Sequence, residues 1–511
     1  MKKILFYIFL GIIIIYGIYL RYYELGTGSF WIDEGYSSIV SYFAYINNYS
    51  PILPNLKYDF SQYLFTIFQN ISFNFLGVND FSARIPSFIF SILNLIVFYL
   101  FSKELLKNNK YKNIGILFLM FIFSFSTWQI IWSREARFYE LLSTIYLSST
   151  YFLYKFETYN QNKYFIFFLI ISLVGIIFHP FCFGLIIIGF LILGYKIYKE
   201  KNFKEFDKII LLGIIIFIYF LIDLFIKYIS IGNFEMKELI PNINKLGNYN
   251  FFNYFIFYVK SIYSELGIIF ISYLFTQIYL FQKKKIYEFI IFGILVFINI
   301  VSISYGNFAH TRYMFHIYFI ITLIGGYGII ILFSYINEFL NIKNKIIIIL
   351  GLIFLLSLTI IKTYNLTIIP QRFYYIDYTS PKPNFKMAYN YIEENYSEYK
   401  IVSGFPHICY WYNLDKKSKC EKAINVNLIG DQNLNNNLEK KQKENYINLE
   451  YINSLKNIKN IQNYVFVMDD LTIKNAVNKK LINDIINNCI IIYKDVGDYE
   501  VSNFLGIWSC K

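Results

Sequence analysis

The sequence predicts an α-helical polytopic membrane protein with about 11 transmembrane helices and a small α/β domain at its C-terminal end. Three observations carry that prediction. Of 511 residues, 56% are hydrophobic and only 16% charged, a balance outside the range of ordinary soluble domains. Apolar runs close to the length of a membrane-crossing helix, about 20 residues, recur between residues 4 and 361. From about Lys362 the composition turns to Asn, Lys and Tyr, which marks a polar domain. The net charge of +13 does not indicate a nucleic-acid binder, because the lysines sit in short clusters between apolar runs. There they set membrane orientation rather than form a basic face.

The apolar runs are Ile4–Leu20, Ile85–Phe101, Ile114–Ile131, Leu141–Phe156, Tyr164–Phe178, Phe181–Tyr195, Ile209–Ile226, Ile262–Phe281, Ile286–Ser302, Tyr313–Tyr335 and Ile346–Ile361. The first follows Met1-Lys2-Lys3 and is followed by Arg21-Tyr22-Tyr23 rather than a small-residue cleavage site, so it reads as an uncleaved span. Lysine clusters fall in alternate loops, among them Lys103–Lys112, Lys196–Lys208 and Lys283–Lys285. By the positive-inside rule this places the N-terminus in the cytoplasm and the C-terminal domain outside the membrane. The same parity turns the stretch Tyr164–Tyr195 at His179-Pro180. It lays Phe60–Phe75, with its Gln62, Gln69, Asn70, Ser72 and Asn74, in the outer interface.

A transmembrane domain over residues 1–361 is thus followed by a linker at 362–384, with Pro370, Pro381 and Pro383, and an extracytoplasmic α/β domain at 385–511. That domain offers helices at Met387–Asn395 and Asn475–Asn488, and strand-like runs at Ile401–Val402, Val465–Met468 and Ile490–Tyr493. Asn425–Lys459 reads as an asparagine-rich insertion. Four of the five cysteines, Cys409, Cys420, Cys489 and Cys510, fall here. Their number and compartment predict disulfides, and sequential pairing closes the shortest loops.

Chemistry concentrates in the outer loops. Trp31-Ile32-Asp33-Glu34 puts two adjacent acids where the chain leaves its first span, an expensive place for charge without a task. A carboxylate there can take a proton from a hydroxyl, hold a metal ion or neutralise an arginine. Lysine outnumbers arginine 41 to 6, so arginine stands where lysine does not suffice. Arg21, Arg84, Arg134, Arg137, Arg312 and Arg372 all fall on the outer side. The guanidinium fork binds phosphate bidentately, so a phosphate-bearing substrate is one common cause. Pairing with acids, or snorkelling at helix ends, is the plainer reading of any one of them. Ser133-Arg134-Glu135-Ala136-Arg137-Phe138-Tyr139 packs two arginines and an acid into one loop, and His310-Thr311-Arg312-Tyr313 supplies another arginine. His179, at an apolar turn, is a weaker candidate that a structural hydrogen bond would also explain. Asp223 and Glu265 read equally well as solvated acids.

The succession of Trp31-Ile32-Asp33-Glu34, then Phe81-Ser82-Ala83-Arg84-Ile85-Pro86-Ser87, then the Ser-Arg-Glu-Ala-Arg-Phe-Tyr loop resembles polytopic glycosyltransferases of the GT-C superfamily. The likeness is to the branch of protein O-mannosyltransferases and lipid A aminoarabinose transferases, over roughly residues 1 to 360. The C-terminal domain carries no such likeness. The resemblance implies a GT-C-like fold and a polyprenyl or dolichyl phosphate-linked sugar donor used at the outer face. It implies a catalytic role for Asp33, with Glu34 beside it and Glu135 in a second acidic loop. Arg84, Arg134, Arg137, Arg312 and Tyr313 become donor-phosphate candidates, and Trp31, Tyr139, His179 and His310 candidate substrate-site residues. The absence of Trp-Trp-Asp-Tyr-Gly argues against the related oligosaccharyltransferases.

The mechanism these residues support is deprotonation of an acceptor hydroxyl by Asp33, attack on the anomeric carbon with inversion, and departure of a lipid phosphate held by arginines. The acceptor is a glycan, a lipid or a protein. A divalent metal at Asp33 and Glu135 and charge balance by arginine alone both stay open. A transporter or flippase for a lipid-linked saccharide would use outer arginines too, but needs no paired acids and tends to show internal repeats, which this chain lacks. An O-antigen-type ligase would carry its site on a large late outer loop, whereas the chemistry here lies early.

Overall fold

The computed structural model describes residues 3–46, 60–201, 205–231, 251–305, 311–339, 383–414, 419–420, 422–424, 426, 450–452, 454–455, 458, 461–496 and 504–510. The chain divides into two compact units. The first comprises Met1–Tyr23, Pro51–Phe65 and Pro86–Ile368, the second Glu24–Ser50, Thr66–Ile85 and Ile369–Lys511. The linear division at residue 361 therefore needs correcting: the loop after the first span and the stretch 66–85 belong with the C-terminal domain.

The helices in chain order are α1 Lys3–Tyr22, α2 Ile32–Ile46, α3 Phe60–Leu76, α4 Asp80–Leu105, α5 Lys112–Ser124, α6 Thr127–Ser133, α7 Tyr139–Tyr159, α8 Asn162–Phe178, α9 Phe183–Glu200, α10 Phe206–Ile231, α11 Phe251–Leu266 and α12 Ile268–Gln282. A nearly continuous helix then runs from Ile286 to Tyr305 with a π-helical segment at Ile290–Ile294, and a 3-10 turn, Thr311–Met314, leads into α13, Phe315–Phe339. Ten of the eleven expected runs are helical; the last, Ile346–Ile361, lies outside the described residues, as do His310 and Arg372.

Among the described residues, Lys3–Tyr22, Asp80–Leu105, Ile286–Tyr305 and Thr311–Ile336 are each long and apolar enough to cross a membrane. Large apolar side chains such as Ile4, Ile15 and Phe275 are exposed, as suits surfaces that face lipid rather than water. Two expected spans are broken. Ile114–Ile131 is α5 and α6, bent by 51°. Ile262–Phe281 is not one helix: α11 and α12 meet at 114°, at Gly267, whose φ of +51° with ψ of −118° is a backbone conformation that glycine, lacking a Cβ, adopts readily. The turn expected at His179-Pro180 is present, as a 3-10 turn Pro180–Cys182 between α8 and α9.

Within the first unit, small polar side chains join the helices. Ser149 on α7 bonds Ser172 on α8 at 2.7 Å. Ser272 on α12 donates to the Gly325 carbonyl on α13 at 2.8 Å. Away from water such bonds hold helices that have no hydrophobic reason to associate. The carbonyl of Phe292 in the π-helical segment is taken by the Tyr273 hydroxyl at 2.7 Å.

The second unit holds a six-stranded sheet of order β3-β2-β1-β4-β6-β5. Its strands are β1 Lys400–Ser403, β2 Lys422–Ala423, β3 Glu450–Tyr451, β4 Tyr464–Asp469, β5 Cys489–Val496 and β6 Phe504–Cys510. The first four pair in parallel, and β6 and β5 add an antiparallel edge. Central β4 is buried at every residue, as a strand covered on both faces must be. Four helices belong to this part: α14 Phe385–Asn395, α15 Pro406–Tyr412, α16 Asp470–Asn475 and α17 Lys479–Asn488. The expected helix Asn475–Asn488 is shorter than predicted, because Asn478 caps α17 by accepting from the Leu481 N–H at 3.2 Å and so fixes its start. Most of 425–459 lies outside the described residues. Cys409–Cys420 and Cys489–Cys510 are both disulfides, as sequential pairing predicts.

Candidate active site

The second unit contains the paired acids. Asp33 and Glu34 lie in the first turn of α2, where negative charge suits the unsatisfied N–H groups of a helix start. Glu34 also accepts from the backbone N–H of Trp31 at 3.4 Å, as the third helical residue does in a capping box. Its main partner is Arg84. Nε of Arg84 donates to Glu34 Oε1 at 2.8 Å and one terminal nitrogen to Oε2 at 3.0 Å. The remaining donors reach the carbonyls of Leu25 at 3.1 Å, Gly28 at 2.9 Å and Ser29 at 3.2 Å.

A guanidinium has five N–H donors, and all five of Arg84 are spent. Arg84 and Glu34 are both fully buried. Arg84 is therefore not a phosphate ligand, contrary to the expectation from sequence, and Glu34 is its counter-ion rather than a second catalytic acid. Trp31 is buried beside them. Asp33 is the partly exposed acid of the pair.

This unit also accounts for two of the polar residues of Phe60–Phe75, Gln69 and Ser72. Gln69 is buried and bridges Ser41 on α2, at 2.6 Å, to the Ala83 carbonyl on α4, at 3.0 Å. Ser72 donates to the Ser82 carbonyl at 2.6 Å. That carbonyl has no helical partner because Pro86, four residues on, lacks an N–H. Both side chains are core hydrogen-bonding groups of the unit.

The first unit contains the second acidic loop. α5 ends at Ser124, and Arg21 covers its last carbonyls, donating to Ser124 at 2.7 Å and Phe123 at 3.4 Å as well as to Gly17 at 2.8 Å. A helix C-terminus is where a cation is most favourable. Ser126 then caps α6, and the chain turns through Arg134 to Phe138 into α7. Arg134 donates to the Tyr23 carbonyl. The Arg137 carbonyl accepts from Ser87 at 2.9 Å, and its N–H bonds the Glu135 carbonyl at 2.7 Å. Arg134, Glu135, Arg137 and Tyr139 are all buried.

The loop meets two other turns of the same unit. The Phe138 ring lies 5.4 Å from His179, His179 lies 4.5 Å from Phe181, and Phe181 contacts Tyr313 edge-on at 6.3 Å. The Ser-Arg-Glu-Ala-Arg-Phe turn, the His179 turn and the Arg312-Tyr313 turn thus converge. Arg312 is partly exposed. His179 Nδ1 accepts from the Phe181 N–H at 3.2 Å, a local structural bond.

Five further buried polar side chains form two clusters in this unit. His316 contacts Asn299 Oδ1 at 3.0 Å, and Tyr146 donates to the same oxygen at 2.8 Å. Glu140 on α7 accepts from Asn94 at 2.7 Å. Each interrupts an apolar run, which is the signal that marks polar residues with work inside a membrane. Among the described residues, no three of His, Cys, Asp and Glu gather into a group able to hold a metal ion.

Residues 62–224 match the family model described as dolichyl-phosphate-mannose-protein mannosyltransferase. Among solved structures the chain is similar to ArnT from Cupriavidus metallidurans in the apo state, with a TM-score of 0.57 and 8% identity over 97% of each chain. The same protein bound to undecaprenyl phosphate gives a TM-score of 0.56, again at 8% identity and 97% coverage of each chain. The apo oligosaccharyltransferase of Archaeoglobus fulgidus gives 0.48 and 13% identity, over 80% of this chain and 64% of that one. No curated protein matches by sequence. The family match spans the Arg84 and Arg134–Arg137 segments, and the fold is similar over nearly the whole of each chain to that of ArnT; the chain has the GT-C-like fold expected from its sequence.

Proposed function

We propose that the protein transfers a monosaccharide from a polyprenyl or dolichyl phosphate-linked donor to an acceptor hydroxyl at the outer face of the membrane, with inversion. The observation that carries this reading is the division of labour between the two adjacent acids. Glu34 is consumed by Arg84, while Asp33, next to it on the same helix start, is partly exposed. A partly exposed carboxylate on the first turn of a helix suits a general base. Asp33 takes the proton of the acceptor hydroxyl as its oxygen attacks the anomeric carbon. The bond to the donor phosphate breaks on the opposite side, and the lipid phosphate leaves as an anion.

Arg134, Arg137 and Arg312, with Tyr313, are the residues we assign to that anion, because charge develops on its oxygens as the bond breaks. The structure of ArnT with undecaprenyl phosphate supports a lipid phosphate as the donor's carrier. The outer-face assignment rests on lysine placement and on two disulfides in the C-terminal domain, which need an oxidising compartment. The test is Asp33→Asn in full-length protein, read by mass spectrometry of surface glycans and lipid-linked sugars. Loss of product with the protein still folded and inserted is expected; near-normal turnover would remove Asp33 from the mechanism.

A further inference from the structure

The C-terminal domain holds the segment that carries Asp33 on two sides. Trp411, on α15, donates its indole N–H to Asp80 Oδ1 at 2.7 Å and stacks on Phe30 with ring centres 5.0 Å apart. The other face of the contact continues to Arg84, whose guanidinium lies 4.8 Å from the centre of the Phe30 ring, and Arg84 grips Glu34. The next residue, Tyr412, accepts the Phe30 N–H at 2.8 Å. Lys386, on α14, donates to the Gly26 carbonyl at 3.1 Å and to Asp80 Oδ2 at 2.8 Å, and its own N–H reaches Ser29 Oγ at 3.2 Å. Lower on α2, a Cβ at Gly35 would meet Ile408 at 2.7 Å, so only glycine lets α15 approach, and His407 stacks on Tyr36 at 5.1 Å.

Six backbone groups between Leu25 and Trp31 and the Ser29 hydroxyl therefore find partners in Arg84, Glu34, Lys386 and Tyr412. α15 is itself fastened by Cys409–Cys420, whose second cysteine lies two residues before β2. We propose that the C-terminal domain is the positioning element of the reaction, with Trp411 as its principal positioning residue: the stack Trp411–Phe30–Arg84–Glu34 fixes the helix start that presents Asp33. A reacting group displaced by about 1 Å can lose on the order of a hundredfold in rate, which gives this rigidity its purpose. The proposal rests on Asp33 being the base.

The experiment is amide hydrogen exchange on the full chain in lipid nanodiscs, paired with transfer kinetics in membranes that hold the native donor. Trp411→Leu should raise exchange across residues 24–36 roughly tenfold while 464–488 stays protected, and Trp411→Phe, which keeps the ring, should restore wild-type protection. The same Leu variant should lose kcat with KM for the donor unchanged, a split that general destabilisation would not give. Unchanged exchange at 24–36, or raised exchange with normal kcat, overturns the proposal. If Trp411→Leu opens the whole domain, Lys386→Met decides, since it removes only contacts to this segment and to Asp80: opening confined to 24–36 supports the proposal and no opening overturns it. Failure of the Asp33 assignment is separately visible, as normal turnover of Asp33→Asn while the exchange results hold.

Discussion

Arg84 and Glu34 form a fully buried ion pair with two hydrogen bonds, at 2.8 and 3.0 Å, and every other donor of Arg84 closes on a carbonyl of the segment Leu25–Ser29. Removing one partner of such a pair leaves a buried charge without compensation, at a cost of about 3–5 kcal/mol.

Arg84→Lys should accordingly behave as a folding variant. A lysine keeps the charge but offers three donors from one point, so most of the contacts to Glu34 and the three carbonyls are lost. Thermal unfolding of the detergent-solubilised protein is expected to shift down. Donor affinity, measured at a temperature where the variant is still folded, should be unchanged.

Arg137→Lys and Arg312→Lys should behave in the opposite way. If these side chains hold the leaving phosphate by charge-assisted hydrogen bonds, each worth about 1.5–3 kcal/mol, the loss of fork geometry should weaken donor use roughly tenfold or more. Unfolding temperatures close to wild type, with raised KM or lowered kcat for the lipid-linked donor, are the expected results. Normal kinetics in both variants would leave the phosphate assignment without support.

The two disulfides make different contributions. Cys489 and Cys510 are paired across neighbouring strands and close a loop with a sequence separation of 21, against 11 for Cys409 and Cys420. Loop closure of that order stabilises a fold by about 3 kcal/mol. Replacing Cys489 and Cys510 by serine should lower the stability of the sheet. Replacing Cys409 and Cys420 should chiefly loosen α15 and, through Trp411, the segment before Asp33. Non-reducing peptide mapping should recover both sequential pairs.

Two titratable groups of the C-terminal domain, Asp469 and His407, have opposite effects in one pH window. Burial pushes the Asp469 carboxyl up to about 6, although it accepts from the N–H and hydroxyl of Thr472. Its contribution to stability is present below the ordinary aspartate range and is lost as pH rises to about 6. Burial pushes His407 down to about 4, so its contribution is present above the ordinary histidine range and is lost as pH falls to about 4. The two slopes oppose each other between pH 4 and 6, and the wild-type domain should vary little there. Asp469→Asn should leave stability rising with pH, and His407→Gln should leave it falling. Thermal melts across that interval check both signs.

Much of this protein is determined by its sequence alone. Hydrophobic runs of membrane-crossing length require helices, since backbone groups in lipid must bond within their own segment. Four cysteines gathered in one polar stretch point to disulfides, and the structure selects the sequential pairs among the three possible connectivities. The order of the acidic and arginine-rich motifs carried the superfamily resemblance. The tertiary structure alone decided which charged residues are spent on the fold. Arg21 and Arg84 are as suggestive in sequence as Arg137 and Arg312, but Arg21 covers the end of α5 and Arg84 is saturated by Glu34 and three carbonyls. Adjacency in sequence likewise hides the difference between Asp33 and Glu34, because successive residues on a helix point about 100° apart and one side faces the buried arginine. Nor does the linear order reveal that residues 24–46 belong with the C-terminal domain. That follows from Trp411, Tyr412 and Lys386, whose partners lie more than three hundred residues earlier in the chain; such long-range bonds leave no local periodicity for a sequence to display.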